Sequence, residues 1–184
     1  HGEGHGDHGF FGHSFVVYQE LVHVPLIIHD PRRPAAHRVA DSVSTRRIFH
    51  TVLDAASLTP PLDEADPNAN VRGLTLLPSS LNGHSAEPNL AFAEAIPPHT
   101  FLRLIHNRQP QLIERLRLDQ TRRAVYQGAH KLATVGDSVE ALFDVQADPL
   151  ETRNLVHDRA HLTGDLQRQL DAFVLAAEHY RTDG

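Results

Sequence analysis

The sequence predicts an α/β chain in two parts, and three patterns carry that prediction. The run Val24 to Ile28 (VPLII) is compact and apolar and is bounded by His29, Asp30 and Pro31. Such a run suits a strand buried on both faces, as in a parallel sheet. Further on, TRRAVYQG, HKLATV and EALFDV are short β-prone runs separated by Gln127 with Gly128 and by Gly136 with Asp137, which predicts three antiparallel strands. Last, Leu162, Leu166, Leu170, Phe173 and Ala177 recur at helical spacing, so the chain ends in an amphipathic helix laid on a sheet.

The remaining elements follow in order. Ser14 to Val24 (SFVVYQELVHV) reads as a short helix ahead of the VPLII strand, and DPRRPAAHR as a loop. Val39 to Val43 is a short strand or an approach to the next helix, with Ser44 as its N-cap. In STRRIFHTVLDAASL, Phe49, Val52, Leu53 and Ala56 stand at i, i+3, i+4 and i+7, one stripe of a helix. The proline-rich, acidic segment Thr59 to Asn70 is a surface loop. Leu74 to Leu81 predicts a helical turn or two, Asn82 to Asn89 a polar connection, and LAFAEAI (Leu90 to Ile96) a strand. Leu112, Ile113, Leu116 and Leu118 predict a helix after Pro110. Asp148, Pro149 and Glu151 have the form of a capping box that starts a brief helical turn carrying Leu155, and Thr163 caps the last helix.

Composition narrows the function. Across 184 residues there are 23 acidic against 17 basic side chains, and the arginines fall in scattered pairs, which argues against nucleic acid as a partner. No apolar stretch is long enough for a membrane span. Cysteine is absent, so disulfides, thiolate metal sites and a cysteine nucleophile are excluded within these residues. Methionine is absent too and the first residue is His1, so the sequence reads as a piece of a longer product whose compartment is unreadable.

Of 15 histidines, His1, His5, His8 and His13 sit in the opening tract HGEGHGDHGFFGH with Glu3 and Asp7. Imidazole is the commonest metal ligand and carboxylates share such sites, so the tract supports a metal-binding reading. The glycines loosen the backbone, so spacing alone fixes no pair of histidines on one face, and a mobile polar loop or a tag remnant is the alternative.

The order of motifs resembles the C-terminal portion of the sulfatase family in the alkaline phosphatase superfamily, whose members read S-D-H-G-E, G-[ED]-H-G, a G-[HK] step, a Y-x-E-L helix and a V-P-L-I-I strand. The matching residues are His1 to Glu3, Gly6 to Gly9, Gly12 and His13, Val17 to Leu21, and Val24 to Ile28. VADSVSTRRIFHTVLDAASL resembles the helix after that strand, and NVRGLTLLPSSL the R-G-x-S-L-L-P segment. AVYQGAHKLATV and ALFDVQADPLETRNL resemble the family's hairpin and D-P-x-E-x-x-N-L turn. The resemblance runs from residue 1 to about residue 175.

This resemblance implies that residues 1–88 are the last part of an alkaline-phosphatase-like parallel-sheet domain and that residues 89–184 form a subdomain of small antiparallel sheet plus helix. It further implies a hydrolase of small-molecule sulfate esters, with a formylglycine nucleophile made from C-x-P-x-R or S-x-P-x-R, neither of which occurs here. Nucleophile and most metal ligands would lie in an N-terminal domain that these residues lack, so the chain alone is expected to be inactive. Of the ligands, only His1 is present. The family places a lysine or histidine twelve residues after it, which makes His13 the substrate-binding donor with a role like a general acid. Calcium is the family's usual ion, yet imidazole is soft for calcium, so manganese or zinc, and with them a phosphodiester or phosphonate monoester substrate, form the alternative. A noncatalytic metal-binding or interaction module is the other. His5 and His8 read as surface loop, Tyr18 and Glu20 as packing, Lys131 as structural, and His23, His29 and His50 as satisfied core or boundary histidines.

Overall fold

The computed structural model describes residues 1–31, 38–59, 69–77, 87 and 89–182. The expected loops over 32–37 and 60–68, the end of the turn expected to reach Leu81, and nearly all of the polar connection 82–88 lie outside the described residues.

The centre of the molecule is a four-stranded antiparallel sheet in the order β3-β4-β5-β6, with β3 at Leu90–Ala95, β4 at Arg122–Gln127, β5 at His130–Val135 and β6 at Ser138–Asp144. All four strands were expected. Pairs such as Val125 with Leu132 and Leu132 with Leu142 set the register, and a bulge lies between Ala133 and Thr134. Because side chains alternate along a strand, Val125, Leu132 and Leu142 face one side and Ala124, Tyr126 and Ala133 the other. The first side is covered by Leu166 and Leu170 of the last helix (α6, Ala160–Thr182), and Phe92 stacks on Phe173 at 3.9 Å. The second side packs on Val17, just before a single turn at Gln19–Val22 (α1), with Val16 and Leu21 also buried. The helix expected over Ser14 to Val24 is thus one turn, and Val16 and Val17 reach the sheet ahead of it.

Two helices, His99–Arg108 (α4) and Gln111–Leu116 (α5), bridge β3 to β4. Only α5 was expected; in α4, Phe101 and Leu104 both point outward. The turn at Asp148 corrects the expected capping box. Asp148 Oδ2 accepts from the Arg153 N–H at 2.8 Å and Oδ1 from the Thr152 hydroxyl, closing a turn rather than a helix. Glu151 takes a left-handed backbone (φ 52°) and turns inward. The Arg153 amide holds the Asp148 carboxyl below its usual pKa. That contribution to the turn is present above the ordinary carboxylate range and is lost as pH falls through the lowered value, so amide exchange at Arg153 should accelerate only in stronger acid. Thr163 is not a cap either: α6 begins at Ala160, and the Thr163 hydroxyl donates back to the Arg159 carbonyl at 3.0 Å.

The first half differs most from expectation. Arg47–Ala55 (α2) is the predicted helix, but it starts after a turn closed by Arg47 N–H to the Ser44 carbonyl, with no side-chain cap. Its buried residues are Arg47, His50 and Thr51, while the predicted apolar stripe is turned out, with Phe49 53 % and Val52 60 % exposed. The physical cause is polar: Arg47 donates to the carbonyls of Leu74 (2.8 Å) and Thr75 (3.1 Å), and Thr51 Oγ1 accepts the Leu76 N–H at 3.0 Å. These bonds dock α2 on a turn at Val71–Leu74 (α3), which Asn70 caps and which lies earlier than expected. Residues 38–44 hold no regular element beyond a bend.

Val24 to Ile28 forms no strand, and Ile27 is 90 % exposed. A strand needs at least one neighbour to hydrogen-bond with and, in a parallel sheet, cover on both faces, and among the described residues none pairs with this segment. Hydrogen exchange on the isolated chain should therefore split it: free-chain rates over 24–28 and strong protection in β4 to β6. Uniform protection across both would contradict this reading. Among the described residues no helix is long and apolar enough to cross a membrane.

Candidate functional site

The histidine-rich tract is a folded hairpin. Gly4–His5 (β1) pairs antiparallel with Phe11–Gly12 (β2), joined by a 3-10 turn at Asp7–Gly9. Glycines build it by close approach as much as by freedom: the Gly2 N–H donates to the Leu21 carbonyl at 2.8 Å, and a Cβ on Gly2 would lie 1.9 Å from the Glu20 carbonyl oxygen. At Gly12 the backbone has φ +82°, open to glycine at no steric cost. The flexibility expected from these glycines is replaced by a fixed register.

That register positions the chemistry. Gly4 stands opposite Gly12, and just beyond the paired strands Glu3 meets His13 while the His1 ring stacks on that of His13. His13 Nδ1 and Glu3 Oε1 are 2.5 Å apart, an imidazole N–H donating to a carboxylate. The rings of His1 and His13 stack at 4.5 Å. One ligand atom from each of His1, Glu3 and His13 lies within 4.8 Å of the others. All three residues are exposed at one edge of the hairpin, with His13 and Glu3 side chains about half open. Two imidazoles and a carboxylate are a donor set that fits a divalent cation, and the open side leaves room for an anion.

The structure thus brings both singled-out residues, His1 and His13, into one cluster with Glu3, which the sequence reading counted only among the acids of a metal-binding tract. The signal was present in the i, i+2 spacing of His1 and Glu3, but the partner strand was not readable from it. His5 stays at the surface. His8 is a strut: its ring stacks on Tyr18 at 3.7 Å, Nδ1 meets Glu20 at 3.2 Å and Nε2 meets the Leu150 carbonyl at 3.1 Å. His50 is buried against the Arg46 carbonyl, while His23 and His29 are exposed rather than core. The arginine pairs are not uniformly solvated, since Arg47 and Arg122 are buried and serve backbone carbonyls.

Beneath the hairpin lies a buried ion pair. Lys131 Nζ donates to Glu151 Oε1 at 2.6 Å and to the Val17 carbonyl at 2.5 Å, both side chains fully enclosed. Glu151 Oε2 accepts the Gln19 N–H at 2.7 Å, and the Tyr126 hydroxyl donates to Gln19 at 2.6 Å. The pair therefore ties α1, and through it the hairpin, to the sheet. Burial pulls the Lys131 pKa below the ordinary lysine value against the opposing pull of Glu151.

Burial, followed by the carboxylates of Glu140 and Glu151, pushes Tyr18 up from 10.0 to about 12. A raised phenol pKa stabilises the fold fully below pH 10 and loses that contribution as pH rises toward 12. Alkaline titration should show delayed tyrosinate absorbance coinciding with loss of structure, and Tyr18→Phe should shift the alkaline unfolding limb upward. Ionisation of Tyr18 at the ordinary value would count against the packing described.

Two surface cavities of about 320 Å³ each lie elsewhere, one beside Ile113, Arg117 and Asp119, the other between Ile28 to Pro31 and α2. Neither is lined by the hairpin, and the first also carries His106 and Glu114.

No family model matches the chain. It is 28 % identical over 174 residues to arylsulfatase K of Bos taurus, a match covering 95 % of this chain and 29 % of that protein. To arylsulfatase K of Rattus norvegicus it is 28 % identical over 175 residues, 95 % of this chain and 28 % of that protein. The chain thus spans under a third of the length of the curated relatives it matches. Among solved structures it is similar to the putative sulfatase yidJ from Bacteroides fragilis, with a TM-score of 0.45 and 15 % identity over 72 % of this chain and 24 % of that one.

Proposed function

We propose that this chain, a sulfatase-type segment similar to the C-terminal portion of that family, supplies part of the anion-handling half of a sulfate ester hydrolase. The observation that supports it is the convergence of His1, Glu3 and His13 at one edge of the hairpin, in a chain 95 % of whose length is similar to arylsulfatase K. His1 would hold a divalent cation, calcium by family resemblance. When bound, that ion supplies charge that offsets the nonbridging oxygens of the ester.

The other steps belong to the protein's own side chains. His13, held by Glu3 at Nδ1, keeps its second ring nitrogen for the substrate, and in the imidazolium form that nitrogen would give its proton to the ester or leaving oxygen, leaving a neutral ring still bonded to Glu3. Glu3 fixes the ring's orientation and tautomer, as a carboxylate does for a catalytic imidazole. No cysteine and no S-x-P-x-R motif occurs, so these residues carry no formylglycine. The nucleophile and remaining ligands would come from an N-terminal domain packed on the exposed Val24 to Ile28 edge and the α2 stripe.

The decisive test is made in the longer protein. His13→Ala should lower turnover of an aryl sulfate by about 10²–10⁴-fold, the usual contribution of a positioned acid. Unchanged turnover would remove His13 from the reaction. The 184 residues alone are expected to hydrolyse neither aryl sulfate nor aryl phosphonate with any added divalent ion. A second reading, phosphodiester or phosphonate monoester hydrolysis with manganese or zinc, draws support from the two imidazoles at the site, and the relative rates on the two esters separate it from the first.

A further inference from the structure

We infer that His8 is a positioning residue of the hairpin and that protonation engages it: as an imidazolium it ties the hairpin turn to Glu20 of α1 and to the Leu150 carbonyl, and as a neutral ring it gives up the tie to Glu20. The latch stands on geometry alone, and only its consequence for ester hydrolysis rests on the reading above.

The argument starts from a count of donors. His8 Nδ1 lies 3.2 Å from Glu20 Oε1, and Nε2 lies 3.1 Å from the Leu150 carbonyl oxygen. A carbonyl and a carboxylate only accept, so both ring nitrogens must carry hydrogen for both bonds to exist. A neutral ring has a single N–H. With that proton on Nε2, a lone pair on Nδ1 faces the carboxylate and the contact turns repulsive. The two side chains are only 20 % and 22 % exposed, so water does little to soften the change.

The surroundings favour the charged ring. Tyr18 stacks face to face on it at 3.7 Å, and an aromatic face attracts a cation. Around it stand Glu20 on α1, Asp7 on the hairpin and Asp148 in the turn before Leu150. The Asp148 carboxyl is held down first by the Arg153 amide and last by the His8 charge. Beyond Tyr18 lie the Lys131–Glu151 pair and Glu140 with Arg122. Acids outnumber cations in this set.

The backbone shows what the latch holds. His8 has φ 52°, a left-handed conformation uncommon for a residue with a Cβ, and such strain persists only where surrounding contacts impose it. At the open end of the hairpin, the Gly2 N–H is pinned to the Leu21 carbonyl at 2.8 Å. His8 pins the turn end. Two fixed points set the tilt of the ribbon that carries His1 and His13, whereas one lets it swing about Gly2.

The experiment uses the isotope-labelled 184-residue chain with no ester present. Backbone order parameters of residues 4–12 are measured by NMR from about pH 5 to about pH 8, the span over which histidine changes charge. The expected result is a hairpin near about 0.85 in acid that falls toward the flexible range, below about 0.6, as the His8 ring signal reports loss of its proton. Glu20→Gln is the decisive variant. Its amide N–H can donate to an unprotonated Nδ1, so a neutral His8 keeps both bonds and the hairpin stays ordered at the alkaline end. His8→Asn keeps a residue tolerant of left-handed backbone but loses the latch, and its hairpin should be loose at every pH. Protection of β4 to β6 amides in each variant verifies that the fold persists.

An order parameter unmoved by pH in the parent chain overturns the proposal. So does a Glu20→Gln hairpin that loosens with pH as the parent does, because His1, His5 and His13 are untouched in that variant and would then be the cause. His13→Ala in the longer protein tests the hydrolase reading by turnover and should leave the pH response of the latch intact, so the two can fail separately.

Discussion

Replacing Lys131 with methionine is expected to cost the chain about 3–5 kcal/mol, because breaking a buried ion pair from one side leaves an uncompensated charge in the interior. Both side chains of the pair are fully enclosed, so the Glu151 carboxylate has no water to turn to. The loss should spread: Glu151 Oε2 also holds the Gln19 amide, and Lys131 holds the Val17 carbonyl, so the hairpin and α1 should loosen before the sheet does. The double variant Lys131→Met with Glu151→Leu should recover much of the stability, since removing both charges also removes the desolvation they suffer. Urea unfolding of the two single variants and the double one, read as a double-mutant cycle, measures this coupling. A single variant as stable as the parent chain would show that the pair is not enclosed as described.

Leu166→Ala is expected to cost about 3 kcal/mol, within the range for a fully buried leucine whose cavity cannot collapse. Leu166 has no exposed surface and sits among Val125, Leu132 and Leu142, all at 0 % exposure, on the face that the sheet offers to α6. The same change at Leu175, 71 % exposed on the same helix, should fall within about 0.5 kcal/mol of neutral. Midpoints of urea unfolding for the two variants test the pair. Equal losses would mean that α6 is bound through another face.

The similarity to sulfatases and the arrangement of the second half were legible for the same reason: each was written locally. Strand runs separated by Gly128 and Gly136 specify their own hairpins, and the Leu162, Leu166, Leu170 spacing specifies its own face. The first half was less legible because its periodicity pointed to a face without naming what covers it. The stripe through Phe49 and Val52 is helical as read, yet the face docked within this chain is that of Arg47, His50 and Thr51, chosen by backbone carbonyls near Leu74 and Thr75. Glu151 likewise reads as a capping acid in sequence and becomes the partner of Lys131 in space.

What the sequence by itself determined is the four strands, the closing helix and the two histidines of interest, all properties of residue type and short-range spacing. Only the tertiary structure decided that Glu3 faces His13 across a glycine hairpin and that a buried lysine fastens that hairpin to the sheet. Those contacts join residues 10 and 20 positions apart or, for the Lys131 bond to Val17, 114 apart, and their geometry depends on strand register and enclosure, which no local pattern encodes.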